Sequence, residues 1–368
     1  MKSIAIALKS SSSQGWQDNP KVELHLNIWK LNDGFPRFRT RFFLDVGLMS
    51  ECRYDEICIY LPFSLRKKQE WHDLGEIICN DNNLLCAIFN DDLRAIPLTN
   101  NCFYRIERNS PDTPPDTKCL FSFYTLGSNN VTVDEDKENK GTWLHVKIVD
   151  AMKISTECER FYIRFRLFIK DNKQFVDKRH ISNDLIQAAF SNLDLYDLRI
   201  NELRNLDKKI REEIRVNQYA LSHFCKIHTF FIANTKVSVE TSSDVKSDSR
   251  IIEPSIWNSY EPLKINDKLF IAHHWKMKPD GESGLKSMNL FFTAKYPRIQ
   301  TATLAAYFSI IVILGAIGSW LSTMLPSGSY KEGDISLPKI ITASVMGLAI
   351  LWHLFRKVRA QVRIWLAD

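Results

Sequence analysis

The sequence predicts a β-rich α+β region of antiparallel, sandwich-like sheets followed by a C-terminal two-helix transmembrane hairpin. Apolar and polar residues alternate at period two through much of residues 1–297. Helical periodicity is confined to a few short stretches. Two segments near the C-terminus, at about 303–325 and 338–355, are almost wholly apolar.

The strands are read from alternation. Val22, Leu24, Leu26 and Ile28 oppose Glu23, His25, Asn27 and Trp29. Phe38, Thr40, Phe42 and Leu44 oppose Arg37, Arg39, Arg41 and Phe43. Leu144, Val146 and Ile148 oppose Trp143, His145 and Lys147. Phe161, Ile163, Phe165, Leu167 and Ile169 form one unbroken apolar face, opposite Tyr162, Arg164, Arg166, Phe168 and Lys170. Successive strand side chains point to opposite faces, so each pattern predicts a strand with one buried face. Further strands are expected at 57–61, 103–108, 120–125, 225–233, 269–277 and 288–295.

Three helices are expected: Glu70–Cys79, Ser182–Phe190 capped by Ser182, and Glu202–Phe224. The last aligns Leu203, Leu206, Ile210, Ile214 and Leu221 on one stripe, with Asp207 and Arg211 as an i,i+4 ion pair. Such a stripe packs on a sheet. Polar or proline-rich runs at 109–118, 134–141 and 241–250 read as loops. Asp280–Gly284 reads as a hairpin turn between the last two strands. The soluble region divides near 150 into a β-rich part, 1–150, and an α+β part, 151–297, which fold separately or as one unit. Residues 298–368 carry the two spans and a basic tail.

The 368 residues are 45% apolar and 25% charged with a net charge of +6, an ordinary globular composition that does not mark a nucleic-acid binder. The apolar run Ile4–Leu8 is too short for a signal-peptide core. Eight scattered cysteines form no CxxC pair and read as free thiols in a reducing compartment. Lys295 and Arg298 precede the first span, and Arg356, Lys357, Arg359 and Arg363 follow the second. The preference of Lys and Arg for the cytoplasmic side puts both termini there, in an integral protein of the inner or cell membrane. Small residues four apart, Ala302 and Ala306, Gly315 with Ser319 and Thr323, and Ala343 with Gly347, predict helix packing within the bilayer and homo-oligomerisation.

The most suggestive chemistry is arginine on alternating positions: Arg37, Arg39 and Arg41 on one strand, Arg164 and Arg166 beside Tyr162 on another. Guanidinium groups bind phosphate bidentately, so two such strands side by side predict a nucleotide or polyphosphate site, with Phe43, Tyr162 and Phe168 to stack a base. The alternative is a solvated outer face. His273 and His274 fall on opposite faces of a strand, and His223 and His228 are poorly spaced, so no metal is expected. No phosphate-loop, dinucleotide or hydrolase motif occurs, no catalytic set is legible, and no cofactor is expected.

In layout, a cytoplasmic region joined by only Tyr296–Arg298 to apolar spans resembles the membrane effectors of bacterial antiphage systems. The resemblance implies a membrane-anchored sensor that self-assembles on binding a ligand and opens a pore or disturbs the bilayer. A membrane-tethered adaptor recruiting a cytoplasmic protein, and a tethered enzyme with dispersed catalytic residues, are the alternatives.

Overall fold

The structure, a computed structural model, describes residues 2–10, 20–31, 41–52, 54–65, 71–98, 103–109, 119–136, 138, 140–148, 158–169, 173–179, 191–241, 247–260, 269–281, 283–297 and 301–324. The chain forms two units, Met1–Ile299 and Gln300–Asp368.

Unit 1 is built on three sheets. The largest runs in the order β17 (Ser247–Ile252), β18 (Phe270–Met277), β15 (His223–Asn234), β2 (Lys21–Leu31), β3 (Arg41–Glu51), β11 (Arg160–Phe168), β8 (Phe121–Tyr124), β7 (Phe103–Arg108) and β6 (Leu93–Pro97). A short strand, β5 (Trp71–Asp73), also pairs with β11. The second sheet runs β14 (Ala220–Leu221), β1 (Ala5–Lys9), β4 (Glu56–Leu61), β10 (Gly141–Lys147), β9 (Val131–Asp136). The third runs β12 (Val176–Arg179), β13 (Ser191–Ile200), β19 (Met288–Pro297), β16 (Ser238–Thr241). Pairing is antiparallel except for β15 with β2 and β11 with β8. Strands from both halves of the sequence share the large sheet.

The expected alternation explains the main core. Val22, Leu24, Leu26 and Ile28 of β2, Leu44 of β3, and Phe161, Ile163, Phe165 and Leu167 of β11 all enter one cluster, as do Val46 and Leu48, where β3 runs on past the expected strand 37–44. Ile57 and Ile59 join it from the second sheet, and Tyr196, Leu290 and Phe292 from the third. Each such apolar side chain contributes roughly 1.5–3 kcal/mol on burial. Lys30 of β2 pairs with Asp194 of β13, both buried, and lies 3.6 Å from the Tyr296 ring centroid. This tie joins the large sheet to the third.

The opposite face of the large sheet is buried too. Helices Gly75–Cys79, Asn82–Phe89 and Pro254–Trp257 bring Ile78, Leu84, Leu85 and Trp257 onto Trp29, Phe43 and Tyr162. A third cluster lies on the second sheet's outer face, where Leu206, Ile210 and Ile214 cover Ala5, Ala7, Cys58, Tyr60 and Trp143.

Several expectations are corrected locally. The predicted helix 202–224 is α-helical only over Lys208–Val216. Gln218 has φ 62°, a left-handed conformation that ends the turn, and the chain after it is captured as strands by β1 and β2. Asp207 caps this helix, accepting from the Lys209 N–H at 3.0 Å. The expected helix from Glu70 is first a strand, because Trp71–Asp73 pairs with the end of β11. The last two strands form no hairpin, since β18 and β19 belong to different sheets. Ser182–Phe190 lies outside the described residues. The thiols are not all free: Cys119 and Cys158 form a disulfide with Cα atoms 5.4 Å apart, brought together by the parallel pairing of β8 with β11.

The transmembrane hairpin is also corrected. In unit 2 Thr301–Met324 is helical, but its described side chains run only from Tyr307 to Ser319. Among the described residues no helix is long and apolar enough to cross a membrane. The expected membrane anchor, the pore-forming effector built on it and the integral-membrane location fall with it. Ala343, Gly347 and the whole segment 338–355 lie outside the described residues, as do the side chains of Ala302, Ala306 and Thr323. At Gly315 an added Cβ would meet nothing within 4 Å. Ser319 is exposed.

Two outcomes test this fold. Asp45→Ala removes the carboxylate that Arg166 grips through two contacts, both side chains being wholly buried. The expected loss is roughly 3–5 kcal/mol in urea denaturation, and replacing both with apolar residues of similar volume recovers most of it. Hydrogen bonds from Arg204 and Asn289 outweigh burial at Glu202 and hold its carboxyl near 2. The unfolded carboxylate takes its proton first, so stability falls as pH drops from about 4.5 towards 2. Glu202→Gln is less stable than wild type at pH 6, and the difference in Tm shrinks to nothing near pH 2.

Candidate functional site

The second face of the large sheet carries the polar half of each alternating strand. Register sets these residues in transverse rows. One row runs Lys276, His228, His25, Gly47, Arg164 across β18, β15, β2, β3 and β11. The next runs His274, Phe230, Asn27, Asp45, Arg166. A bulge between Phe224 and Lys226 shifts β15, so that Lys226 rather than Cys225 stands opposite Glu23. That shift puts Lys226 and His228 on the same face as Glu23 and His25.

Gly47 is required at its position. A Cβ there would lie 2.0 Å from the Tyr162 hydroxyl. The missing side chain lets the phenol cross β3 and meet His25 Nδ1 at 3.1 Å.

Asp45 is the buried anion of this face. It receives Arg166 through two contacts, Nε at 2.6 Å and Nη2 at 2.9 Å, the Trp29 indole N–H at 2.6 Å and the Tyr260 hydroxyl at 3.0 Å. Arg164 has no such partner. Its Nε donates to the Tyr260 hydroxyl at 2.9 Å and its Nη1 to the Tyr162 hydroxyl at 3.1 Å. With the Asn27 amide oriented by its neighbours, Arg164 Nη2 donates to Asn27 Oδ1 at 2.6 Å. All three acceptors are neutral, and among the described residues no carboxylate lies within ion-pair distance of Arg164. A guanidinium stays charged in proteins. Among the described residues the face therefore buries Arg164 and Arg166, at 2% and 0% exposure, beside Asp45.

Arg164 lines a cleft of about 640 Å³, walled by the end of helix Asn82–Phe89, by β17 and by Trp257. Among the described residues six Lys or Arg line it against three carboxylates. Trp257 is buried, and its indole N–H has no partner among the described residues. Phe230 and His274 stack face to face with centroids 4.3 Å apart.

The histidines gather at one end. His25 Nε2 lies 3.1 Å from Glu23 Oε1, and His228 Nε2 lies 3.8 Å from the same oxygen. Lys226 donates to that oxygen at 2.8 Å. Glu23, His25 and His228 each place a ligand atom within 4.8 Å of the others. Burial opposes the Glu23 charge, but hydrogen bonds from His25 and Lys226 outweigh it and hold the carboxyl near 2. Burial pushes His25 below its ordinary value despite Glu23. His228 is lowered to about 3 by burial and by the positive groups beside it. Both rings are thus neutral beside an ionised carboxylate at neutral pH.

Arg37 and Arg39 lie outside the described residues, as does the side chain of Arg41. Arg164 and Arg166 do share a face, but that face is buried rather than solvated. Arg166 is committed to Asp45. Tyr162 is wholly buried, as nearly is Phe43, so neither is open to stack a base. His273 and His274 take opposite faces as expected, His273 meeting Ser249 Oγ and His274 facing the cleft. The spacing of two residues between Glu23 and His25 was the available signal for the cluster. Its third member, His228, comes from a strand some 200 residues away.

Neither the known protein-family models nor the curated proteins contain a match to this chain.

Gly47→Ala pushes the Tyr162 hydroxyl away from His25, and the expected cost is about 1–3 kcal/mol in chemical denaturation. Gly127→Ala, whose Cβ would meet nothing within 4 Å, is the silent control.

Proposed function

We propose that this chain is a ligand-binding protein whose cleft takes a phosphate-bearing small molecule with a planar ring, a nucleotide by chemical class. The observation that carries the reading is Arg164, a buried guanidinium on the cleft wall whose acceptors among the described residues are all neutral. An isolated buried charge costs several kcal/mol unless something offsets it. A bound phosphate would do so, and its oxygens suit a guanidinium better than a phenol does.

The surroundings support the same class. The excess of basic over acidic side chains attracts anions into the cleft. Its volume falls within the roughly 300–1,000 Å³ usual for small-molecule sites. The stacked Phe230–His274 pair offers a flat wall beside the phosphate-binding end, and the Trp257 indole supplies a donor for a ring acceptor.

Calorimetric titration with ATP and with inorganic pyrophosphate tests the reading. Both are expected to bind, and more weakly as salt rises. Arg164→Met is expected to weaken both about 10- to 100-fold, the loss of a hydrogen bond from a charged donor being worth roughly 1.5–3 kcal/mol. Phe230→Ala is expected to weaken ATP alone. Equal affinity in wild type and a folded Arg164→Met variant overturns the proposal.

A further inference from the structure

We propose that Glu23, His25 and His228 form a binding site for one divalent transition-metal ion of the zinc class, at the histidine end of the cleft. This site goes beyond anion binding and does not involve Arg164 as a ligand.

The geometry carries the inference. A metal held at about 2.0–2.2 Å by nitrogen and oxygen donors sets those donors roughly 3–3.5 Å apart. Glu23 Oε1 already stands 3.1 Å from His25 Nε2 and 3.8 Å from His228 Nε2. All three ligand atoms lie within 4.8 Å of one another, so side-chain rotation on fixed strands closes the set. The backbone is in place: Glu23 and His25 share a face as i and i+2 of β2, and the β15 bulge sets His228 directly opposite His25.

The far nitrogens are held as well. His25 Nδ1 meets the Tyr162 hydroxyl at 3.1 Å, and His228 Nδ1 meets His274 Nε2 at 2.8 Å. Metal-binding histidines characteristically have the second ring nitrogen fixed in this way, which orients the other toward the ion. The room that Gly47 leaves for Tyr162 is part of the same arrangement. Two imidazoles and one carboxylate leave coordination positions open for water or a ligand group. His228 and Glu23 both line the cleft, so those positions face it.

Lys226 is the competitor. Its ammonium donates to Glu23 Oε1, the oxygen that the ion would take. Its side chain is 31% exposed, so it can swing into solvent as the ion enters. Ion and ammonium therefore exclude each other at this oxygen, and the lysine sets the affinity.

Cobalt(II) titration of the full chain, after treatment with chelator, reads this site through visible ligand-field absorption, with metal analysis after dialysis giving the stoichiometry. One Co²⁺ per chain is expected, displaced by Zn²⁺. His25→Gln and His228→Gln are each expected to weaken it at least tenfold. Lys226→Met is expected to tighten it several-fold, a gain that misfolding does not mimic. The cobalt titration contains no phosphate ligand, so its outcome is read independently of the anion-binding end. No cobalt spectrum in wild type, or unchanged affinity in His228→Gln together with Lys226→Met, overturns the proposal.

Discussion

One buried carboxylate governs the second face of the large sheet. Asp45 collects Arg166, Trp29 and Tyr260, and these side chains come from β11, β2 and the segment after helix Pro254–Trp257. Without it, neither the helical cover nor the arginines could be accommodated, since unpaired buried charge is expensive. Yet Asp45 makes its direct ion pair with only one of two adjacent guanidiniums. The imbalance left at Arg164 gives the face its chemical character.

The cleft follows from small departures from regular sheet geometry. Register alone lines up residues in rows, but a full row of side chains would fill the space. Gly47 interrupts one row and lets Tyr162 lie across it. The bulge in β15 turns Lys226 and His228 onto the face held by Glu23 and His25. A glycine and a single extra residue thus set positive and metal-binding groups at neighbouring points of one rigid sheet.

Much of the strand content was legible because period-two alternation is a local signal. The faces of β2 and β11 that point into the main core can be read directly from their sequences, as can the first residues of β3. Elements whose shape depends on a distant partner were not legible. Residues 202–224 carry a helical stripe, yet pairing with β1 and β2 draws the second half into strands. Trp71–Asp73 pairs with β11 where local pattern reads helix. The Cys119–Cys158 bond depends on β8 lying beside β11. The apolar C-terminal pattern was a composition signal, and among the described residues no helix is long and apolar enough to cross a membrane.

Alternation by itself determined that Arg164 and Arg166 share a face with Tyr162, and that Glu23 shares one with His25, because strand side chains repeat every two residues whatever surrounds them. It could not determine whether that face meets water or protein, since exposure depends on what packs above a sheet. The tertiary structure decided this by laying three short helices over the polar face. Burial then made pairing matter, leaving Asp45 bound to Arg166, Arg164 without a carboxylate among the described residues, and His228 beside residues some 200 positions away.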